Sequence, residues 1–463
     1  MTTRPTTILP PTLLGIAWPI FVEQSLRILI GTVDTFMVSH VSDGAVAALG
    51  VSHRLIMTAL ICFNFIGIGT SVVITHHLGA GDRRGATGIA GTAMGVNLWL
   101  GLIVSALVLV LTGPILRLMQ LPGNLMGYAA PFLAIMGGTL FLEAINISIC
   151  AILRAHGHTR EVMFVTVGQN LVNILGNALV LFGWFGLPKF GVTGVACASA
   201  VSRVLATVAL LWLLHRQLGL GLRWRNLFEL PLDRLRRILR IGLPAAGENL
   251  SYWLALLLVT SFIARLGSAS LSVMAYAQQV QALVILFSLS LGLGTEIVVG
   301  RLIGAGDFEG AYRQVISSLK LSFGLCAGGM TLIALFAPQL IGLFSPDPDV
   351  IRGGALLLRL SFLLEMGRVF NVVVINSLRA TGDVRFPVQI GAIFMWLVWV
   401  PTAWWMGLHL GWGLVGIWIS MTLDEWIRGV LMYYRWVKRQ WLPAAERSRA
   451  EVMRNHVPIV TET

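Results

Sequence analysis

The sequence predicts an all-α polytopic membrane protein with twelve transmembrane helices in two pseudo-symmetric six-helix bundles, an N-lobe and a C-lobe. Three observations carry that expectation. Of 463 residues, 56% are hydrophobic and 12% are charged, about half the charged share of a soluble domain, and the mean hydropathy is +0.81. Runs without Asp, Glu, Lys or Arg cover 58–75, 86–116, 162–188, 266–295, 321–346 and 386–423, several of them longer than the ~20 apolar residues that cross a bilayer as helix. Short motifs of the first half return in the second at a shift of 225 residues. A soluble globule, a disordered chain and a fibrous chain are excluded. The runs do not alternate polar and apolar residues, which also excludes an outer-membrane barrel.

Taken in order, the apolar runs give helices over 13–39, 47–78, 87–112, 126–153, 161–184, 191–215, 238–265, 272–302, 314–337, 350–379, 385–406 and 412–437. These frame a cytoplasmic N-terminal segment (1–12), an N-lobe (13–215), a basic linker (216–237), a C-lobe (238–437) and a cytoplasmic tail (438–463). From Gln440 the tail is polar and reads as disordered. Twelve spans place both termini on one side. With the N-terminus inside, connections and tails on that side carry 22 Lys and Arg, against four (Arg117, Lys189, Arg265, Arg352) on the other. That asymmetry predicts cytoplasmic termini in an inner or plasma membrane. It also accounts for the net charge of +12 without nucleic acid as a partner. The four cysteines lie in apolar segments without paired spacing, so neither a disulfide framework nor a metal site is expected. The N-terminus is too polar and proline-rich for a cleaved signal peptide.

The internal repeat is the most informative feature. Leu78-Gly-Ala-Gly-Asp82 returns as Ile303-Gly-Ala-Gly-Asp307, and Leu153-Arg-Ala155 as Leu378-Arg-Ala380. Gly157, Arg160, Pro19 and Glu23 return as Gly382, Arg385, Pro244 and Glu248, while Gly191 and Gly194 return as Gly413 and Gly416 at a shift of 222. Six helices per half is an even number, so both halves enter the membrane from one side as parallel repeats. Such an architecture binds its substrate between halves that rock. Gly-Ala-Gly-Asp reads as a tight turn whose Asp82 or Asp307 caps the next helix. The Leu-Arg-Ala-x-Gly element ends a helix with an arginine suited to its C-terminus. Both read as hinges or gates.

Ionisable residues inside spans are costly and are functional candidates by default. The first helix holds Glu23, Arg27 and Asp34. At 100° per residue they share one face, and Asp34 lies ~30 Å along from residue 13. Glu23 and Arg27 have ion-pair spacing, whereas Asp34 is two turns further on. Pro19 is expected to kink this helix. Asn170, Asn173 and Asn177 form an amide stripe on the fifth helix. They could bond neighbouring helices or line a wet cavity beside Asp34. Glu143, Arg203, Glu248, Lys320, Glu365, Arg368, Asp424, Glu425 and Arg428 are further buried charges, with pairing expected within 365–368 and within 424–428. Glu248 has no partner within four residues of sequence. His76, His77, His156 and His158 read as loop residues. No phosphate loop, no nucleophile with a base at motif spacing and no zincin motif occurs, so no enzymatic activity is expected.

Across about 10–440, Trp18-Pro19, Val33-Asp34-Thr35 with Met37, the doubled Gly-Ala-Gly-Asp and Leu-Arg-Ala-x-Gly, and Gly191-Val-Thr-Gly-Val-Ala196 together resemble the multidrug and toxic compound extrusion (MATE) family. That resemblance implies a multidrug efflux antiporter, a source of drug resistance. It would exchange cationic or amphipathic small molecules for H⁺ or Na⁺ through two six-helix lobes arranged as a V, with no other cofactor. Asp34 matches the acidic residue of the family's N-lobe cavity. Asn173 and Asn177 match the fifth-helix element of the DinF-type branch, where the second position is often Asp. Glu248 matches the seventh-helix Glu of the NorM-type branch, and Arg368 stands where that branch often has Asp. The expected ion-coupling and substrate residues are therefore Asp34, Glu23, Asn173, Asn177 and Glu248, with Na⁺ an option at Asp34 and Asn177. Arg27, Glu143, Glu365, Arg368, Asp82 and Asp307 are expected as gate or structural residues. A monomer surrounded by membrane lipid is expected. A flippase for a lipid-linked precursor, and a channel or membrane-embedded enzyme, remain as alternatives.

Overall fold

The computed structural model describes residues 12–39, 41–183, 190–219 and 231–454. The N-terminal segment before residue 12, Lys189, linker residues 220–230 and the tail beyond 454 lie outside the described residues. Fifteen helices and no strand occur among the described residues. Nine of these helices are long and apolar enough to cross a bilayer, and a bent pair forms one further span. The two helices that complete the twelve, 348–380 and 413–437, are long enough to cross but carry Glu365, Arg368, Asp424, Glu425 and Arg428 in their interiors. The protein is thus an all-α, twelve-span membrane protein, and its chain divides into two compact units.

One unit runs from Val22 to Asn249. It contains most of α1 (Leu13–Ser39), then α2 (Asp43–Gly79), α3 (Arg83–Leu118), α4 (Gly123–Gly138), α5 (Leu140–Ala155), α6 (Thr159–Phe182), α7 (Gly191–Leu218) and the first half of α8 (Leu232–Arg265). The cut in α1 falls two residues after Pro19, which lacks the N–H that would continue the helical bonding. Its core gathers Phe63, Leu116, Phe132, Leu133 and Val195. α8 starts inside the segment expected to be linker, because Pro231 precedes its first turn and Ile238 is already buried.

The span expected over 126–153 is two helices, α4 and α5, bent by 44°. The break has a local cause. A Cβ on Gly137 would stand 2.3 Å from Val108 Cγ1, so the glycine lets α3 approach closely. The backbone groups freed at the break find side chains instead: Phe141 N–H donates to Ser105 Oγ at 3.0 Å, and Met136 O accepts from Arg203 Nη1 at 3.2 Å. Irregular backbone at membrane depth persists only where it is satisfied in this way.

The other unit joins the start of α1, up to Phe21, to Leu250–Met453. It contains the rest of α8, then α9 (Ser268–Ala305), α10 (Phe308–Leu335), the short α11 (Ala337–Gly342), α12 (Pro348–Ala380), α13 (Arg385–His409), α14 (Gly413–Val437) and α15 (Leu442–Arg454). Ile16 and Ile20 of α1 pack on Ile297 and Val298. α13 is widened by two π-type turns, Met395–Trp399 and Trp405–His409, on either side of Pro401. The tail read as disordered from Gln440 instead forms α15. Its apolar face supplies the reason: Trp441 stacks on Trp436 at 4.5 Å, and Ala444, Ala445 and Val452 are buried. Arg439 also pairs with Glu309 at 2.6 Å, and Ser448 Oγ donates to Thr381 O at 3.2 Å.

The doubled motifs adopt the same conformation in both units. Gly81 and Gly306 have φ of 77° and 82°, and Gly157 and Gly382 have φ of 93° and 85°, the left-handed region that glycine enters without steric cost. Asp82 accepts from Gly85 N–H at 2.8 Å and Asp307 from Gly310 N–H at 2.7 Å. The histidines read as loop residues are not all so. His76 and His77 are buried at the end of α2, and His77 Nδ1 lies 2.8 Å from Asp82 Oδ2. Lys320, taken for a buried charge, is exposed on α10.

Candidate functional site

Asp34 sits on α1 in the unit running from Val22 to Asn249 and is 6% exposed. α6 and α7 supply its partners. The stripe on α6 delivers Asn177, whose Nδ2 donates to Asp34 Oδ1 at 2.7 Å. Ser199 of α7 donates from Oγ to Asp34 Oδ2 at 3.3 Å and accepts from Asn173 Nδ2 at 2.8 Å. Asn177 Nδ2 also reaches Asn173 Oδ1 at 3.3 Å. Asn173 and Asn177 are fully buried. The spacing of four places both amides on one face of α6, one turn apart. Asn170, one turn further along, bonds Thr166 O at 2.9 Å and stays out of the cluster. The Asn177 Oδ1 atom has no partner.

The carboxylate of Asp34 is thus buried and held by a hydroxyl and an amide, in a setting where its charge depends on those donors. The group can exchange a proton. Ser199 Oγ, and Asn177 Oδ1 once its amide is turned over, would add hard-oxygen donors for a monovalent cation. No grouping of three His, Cys, Asp or Glu suited to a metal ion occurs among the described residues.

Glu23 and Arg27 share the α1 face with Asp34 but enter a separate chain of ion pairs. Glu23 accepts from Arg27 Nε at 3.2 Å and lies 3.4 Å from Arg154 of α5. Arg27 Nη1 reaches Glu143 at 3.1 Å, and the other Glu143 oxygen reaches Arg203 Nε of α7 at 3.2 Å. Arg203 also donates to Thr139 Oγ1 at 2.8 Å and lies within electrostatic range of Asp34. Of these guanidiniums, Arg203 is the one that faces both the ion-pair chain, through Glu143, and Asp34, so the charge of Asp34 bears on that end of the chain.

Glu248 is buried on α8, 8% exposed, and is not among the hydrogen-bond partners of Asp34. In the other unit Glu365 pairs with Arg368, and Arg428 pairs with Asp424 and Glu425. Sequence reasoning missed Ser199 and the role of Arg154 beside Glu23. A serine in an apolar helix carries no signature of its own. The buried Arg203 one turn on was the available signal, since a charge at that depth demands acidic company.

The MatE family model matches residues 19–179 and again 244–405, and the starts of the two matches are offset by the same 225 residues as the internal repeat. A relative from Bacillus subtilis strain 168, the uncharacterized transporter YisQ, is 41% identical over 430 residues, covering 93% of this chain and 94% of that one. A probable multidrug resistance protein NorM from Thermotoga maritima is 27% identical, with 95% of each chain covered. Among solved structures, a MATE protein in the bent conformation superposes with a TM-score of 0.86 at 22% identity, covering 94% of this chain and 96% of that one. A MOP superfamily transporter from Pyrococcus furiosus superposes at 0.84 with the same identity and coverage.

Proposed function

The chain belongs to the MatE family of membrane transporters, and on that premise we propose that it is an antiporter that exports cationic or amphipathic compounds in exchange for H⁺ or Na⁺. The observation that carries this reading is Asp34, a buried carboxyl whose two oxygens are held by Asn177 and Ser199. Charged, it accepts from both. Protonated, it needs an acceptor, and a half-turn of the Asn177 amide would present the Oδ1 that has no partner. Protonation also removes the negative charge that faces Arg203. The ion therefore acts on both the hydrogen bonds and the charge balance of the unit, as a coupling site must. A cationic substrate would compete for the charged form, so one carboxyl could link two opposed fluxes. The names of the NorM relatives, multidrug resistance proteins, support export of drug-like compounds. The 22-to-4 distribution of basic residues supports a cell membrane location with both ends of the chain inside.

The test is uptake of a labelled organic cation into inverted vesicles, with and without an imposed pH or Na⁺ gradient. The Asp34→Asn variant, which mimics permanent protonation, should insert in the membrane at wild-type levels and lose gradient-driven uptake. Full, gradient-dependent uptake in Asp34→Asn would move the coupling role elsewhere, with Glu23 and Glu248 next to be tested.

A further inference from the structure

The unit that includes Leu250–Met453 buries a second set of charges, between α12 and α14, and its arithmetic does not close. Arg368 Nη1 bonds Glu365 Oε1 at 2.5 Å, and Arg368 Nε bonds Glu425 Oε1 at 3.5 Å. Glu425 Oε2 accepts from Asn371 Nδ2 at 2.8 Å and lies 3.4 Å from Arg428 Nη2. Asp424 Oδ2 lies 2.7 Å from Arg428 Nη2 and accepts from its Nε at 3.0 Å. None of these groups is more than 8% exposed. Three carboxyls thus face two guanidiniums.

The surplus can be located. Glu425 has both oxygens engaged, by two arginines and an amide, which favours its charged form. Glu365 and Asp424 each use one oxygen. Glu365 Oε2 and Asp424 Oδ1 have no hydrogen-bond partner, although their residues are 0% and 1% exposed. Among the described residues, Tyr252 of α8 and Cys326 of α10 also lie in electrostatic range of the cluster, and neither is a cation. An uncompensated buried charge is costly, and so is a buried oxygen without a donor. One proton removes the surplus charge and converts one lone carboxylate oxygen into a hydroxyl.

We propose that this cluster is a second proton-binding site, holding one exchangeable proton on Glu365 or Asp424. The ligand is a bare proton because the two lone oxygens belong to different carboxyls, each tied to its own arginine. No three His, Cys, Asp or Glu groups suited to a metal ion converge among the described residues. The site rests on the transport reading only for its use, which would be to give the second half of the repeat a proton-sensitive element of its own. Whether the proton is there does not depend on transport.

The measurement is therefore made without transport. Purified protein in lipid nanodiscs is titrated and followed by infrared difference spectroscopy, reading the carbonyl band of protonated carboxyls. The background is Asp34→Asn, which removes the first site. That variant should still show a titrating carboxyl band. Adding Glu365→Gln, or separately Asp424→Asn, makes the cluster neutral and should lower the band by one carboxyl. The two changes lie on different helices, so misfolding of one leaves the other to decide. Loss in either double variant supports the site. An absent band in Asp34→Asn, or an unchanged amplitude in both double variants, overturns it.

Discussion

Arg203 links three features of its unit, and replacing it tests the account of all three. Its guanidinium bonds Glu143 at 3.2 Å, the freed carbonyl of Met136 at 3.2 Å and Thr139 Oγ1 at 2.8 Å. Arg203→Lys keeps the charge but gives up the planar fork, so one ammonium cannot serve Glu143 and the helix break together. The loss is about one hydrogen bond to a charged group, ~1.5–3 kcal/mol. Arg203→Met removes the charge as well. The Arg203 and Glu143 side chains are 8% and 11% exposed, so little solvent screening applies to this end of the pair. Breaking such a pair from one side costs ~3–5 kcal/mol. Arg27, the other partner of Glu143 at 3.1 Å, stays in place and offsets part of that loss. Removing Glu143 from the Arg203→Met protein eliminates the stranded carboxylate, so Arg203→Met with Glu143→Gln should regain stability over Arg203→Met alone. The assay is the apparent melting temperature of detergent-purified protein, read by loss of monodisperse material after heating. The expected order is wild type, then Arg203→Lys, then the double variant, then Arg203→Met. A double variant no more stable than Arg203→Met would refute the reasoning, because the stranded charge would then carry no cost.

The remaining predictions are shorter. Ser199→Ala takes a donor from Asp34 and an acceptor from Asn173. It should lower gradient-driven uptake about tenfold, the equivalent of ~1.4 kcal/mol, at unchanged protein level, while Ser199→Thr keeps most activity. Equal rates in Ser199→Ala and wild-type vesicles would remove the hydroxyl from the site. Asp82→Ala and Asp307→Ala each delete the cap of a long helix, worth about 1 kcal/mol, and Asp82→Ala also takes the partner of buried His77, so it should show the larger fall in melting temperature. Equal falls would show that the His77 contact carries no load. A single cysteine placed at Gly123 should react with an impermeant thiol reagent added to intact cells, and one placed at Asn226 should not. The reverse pattern would sink the twelve-span orientation.

Most spans were legible because they are long apolar runs closed by charges, and the helices over 348–380 and 413–437, with charges inside them, were legible through their place in the repeat. The break between α4 and α5 was not, since nothing in Gly137-Gly138-Thr139 announces that Ser105 and Arg203, 36 or more residues away in sequence, will take over the freed backbone groups. α15 was hidden by averaging. Its composition is polar, and only the placement of Trp441, Ala444, Ala445 and Val452 along one face makes a docked helix. At the site, the sequence showed the face of α1 and the stripe on α6, which are periodicities within one helix. Placing the stripe beside Asp34 was one of two options the periodicity left open, because Asp34 and Asn177 are 143 residues apart and their contact exists only after packing.

The repeat carries the comparison one step further. At the shift of 225, Glu143 corresponds to Arg368, and at the shift of 222 that holds from Gly191 onward, Arg203 corresponds to Glu425. Both pairs are formed, Glu143 with Arg203 at 3.2 Å and Arg368 with Glu425 at 3.5 Å. One bridge is thus kept in both halves with its charges exchanged, and its polarity is immaterial to holding the two helices together. What surrounds each bridge has diverged. The second half adds Glu365, Asp424 and Arg428 where the first has Leu140, Ser202 and Ala206, and it has Val259 where the first has Asp34. The acid proposed to take up the proton therefore lies on α1 in one half and on α12 or α14 in the other. Exchanging the bridge in one half, Glu143→Arg with Arg203→Glu, should preserve a folded, membrane-inserted protein if the bridge acts only as a strut. It should alter uptake, because an acid at residue 203 would then face Asp34. Wild-type uptake in the exchanged protein would mean that Asp34 does not sense the charge at residue 203, and the charge-balance part of the coupling argument would fail while its hydrogen bonds to Asn177 and Ser199 still stood.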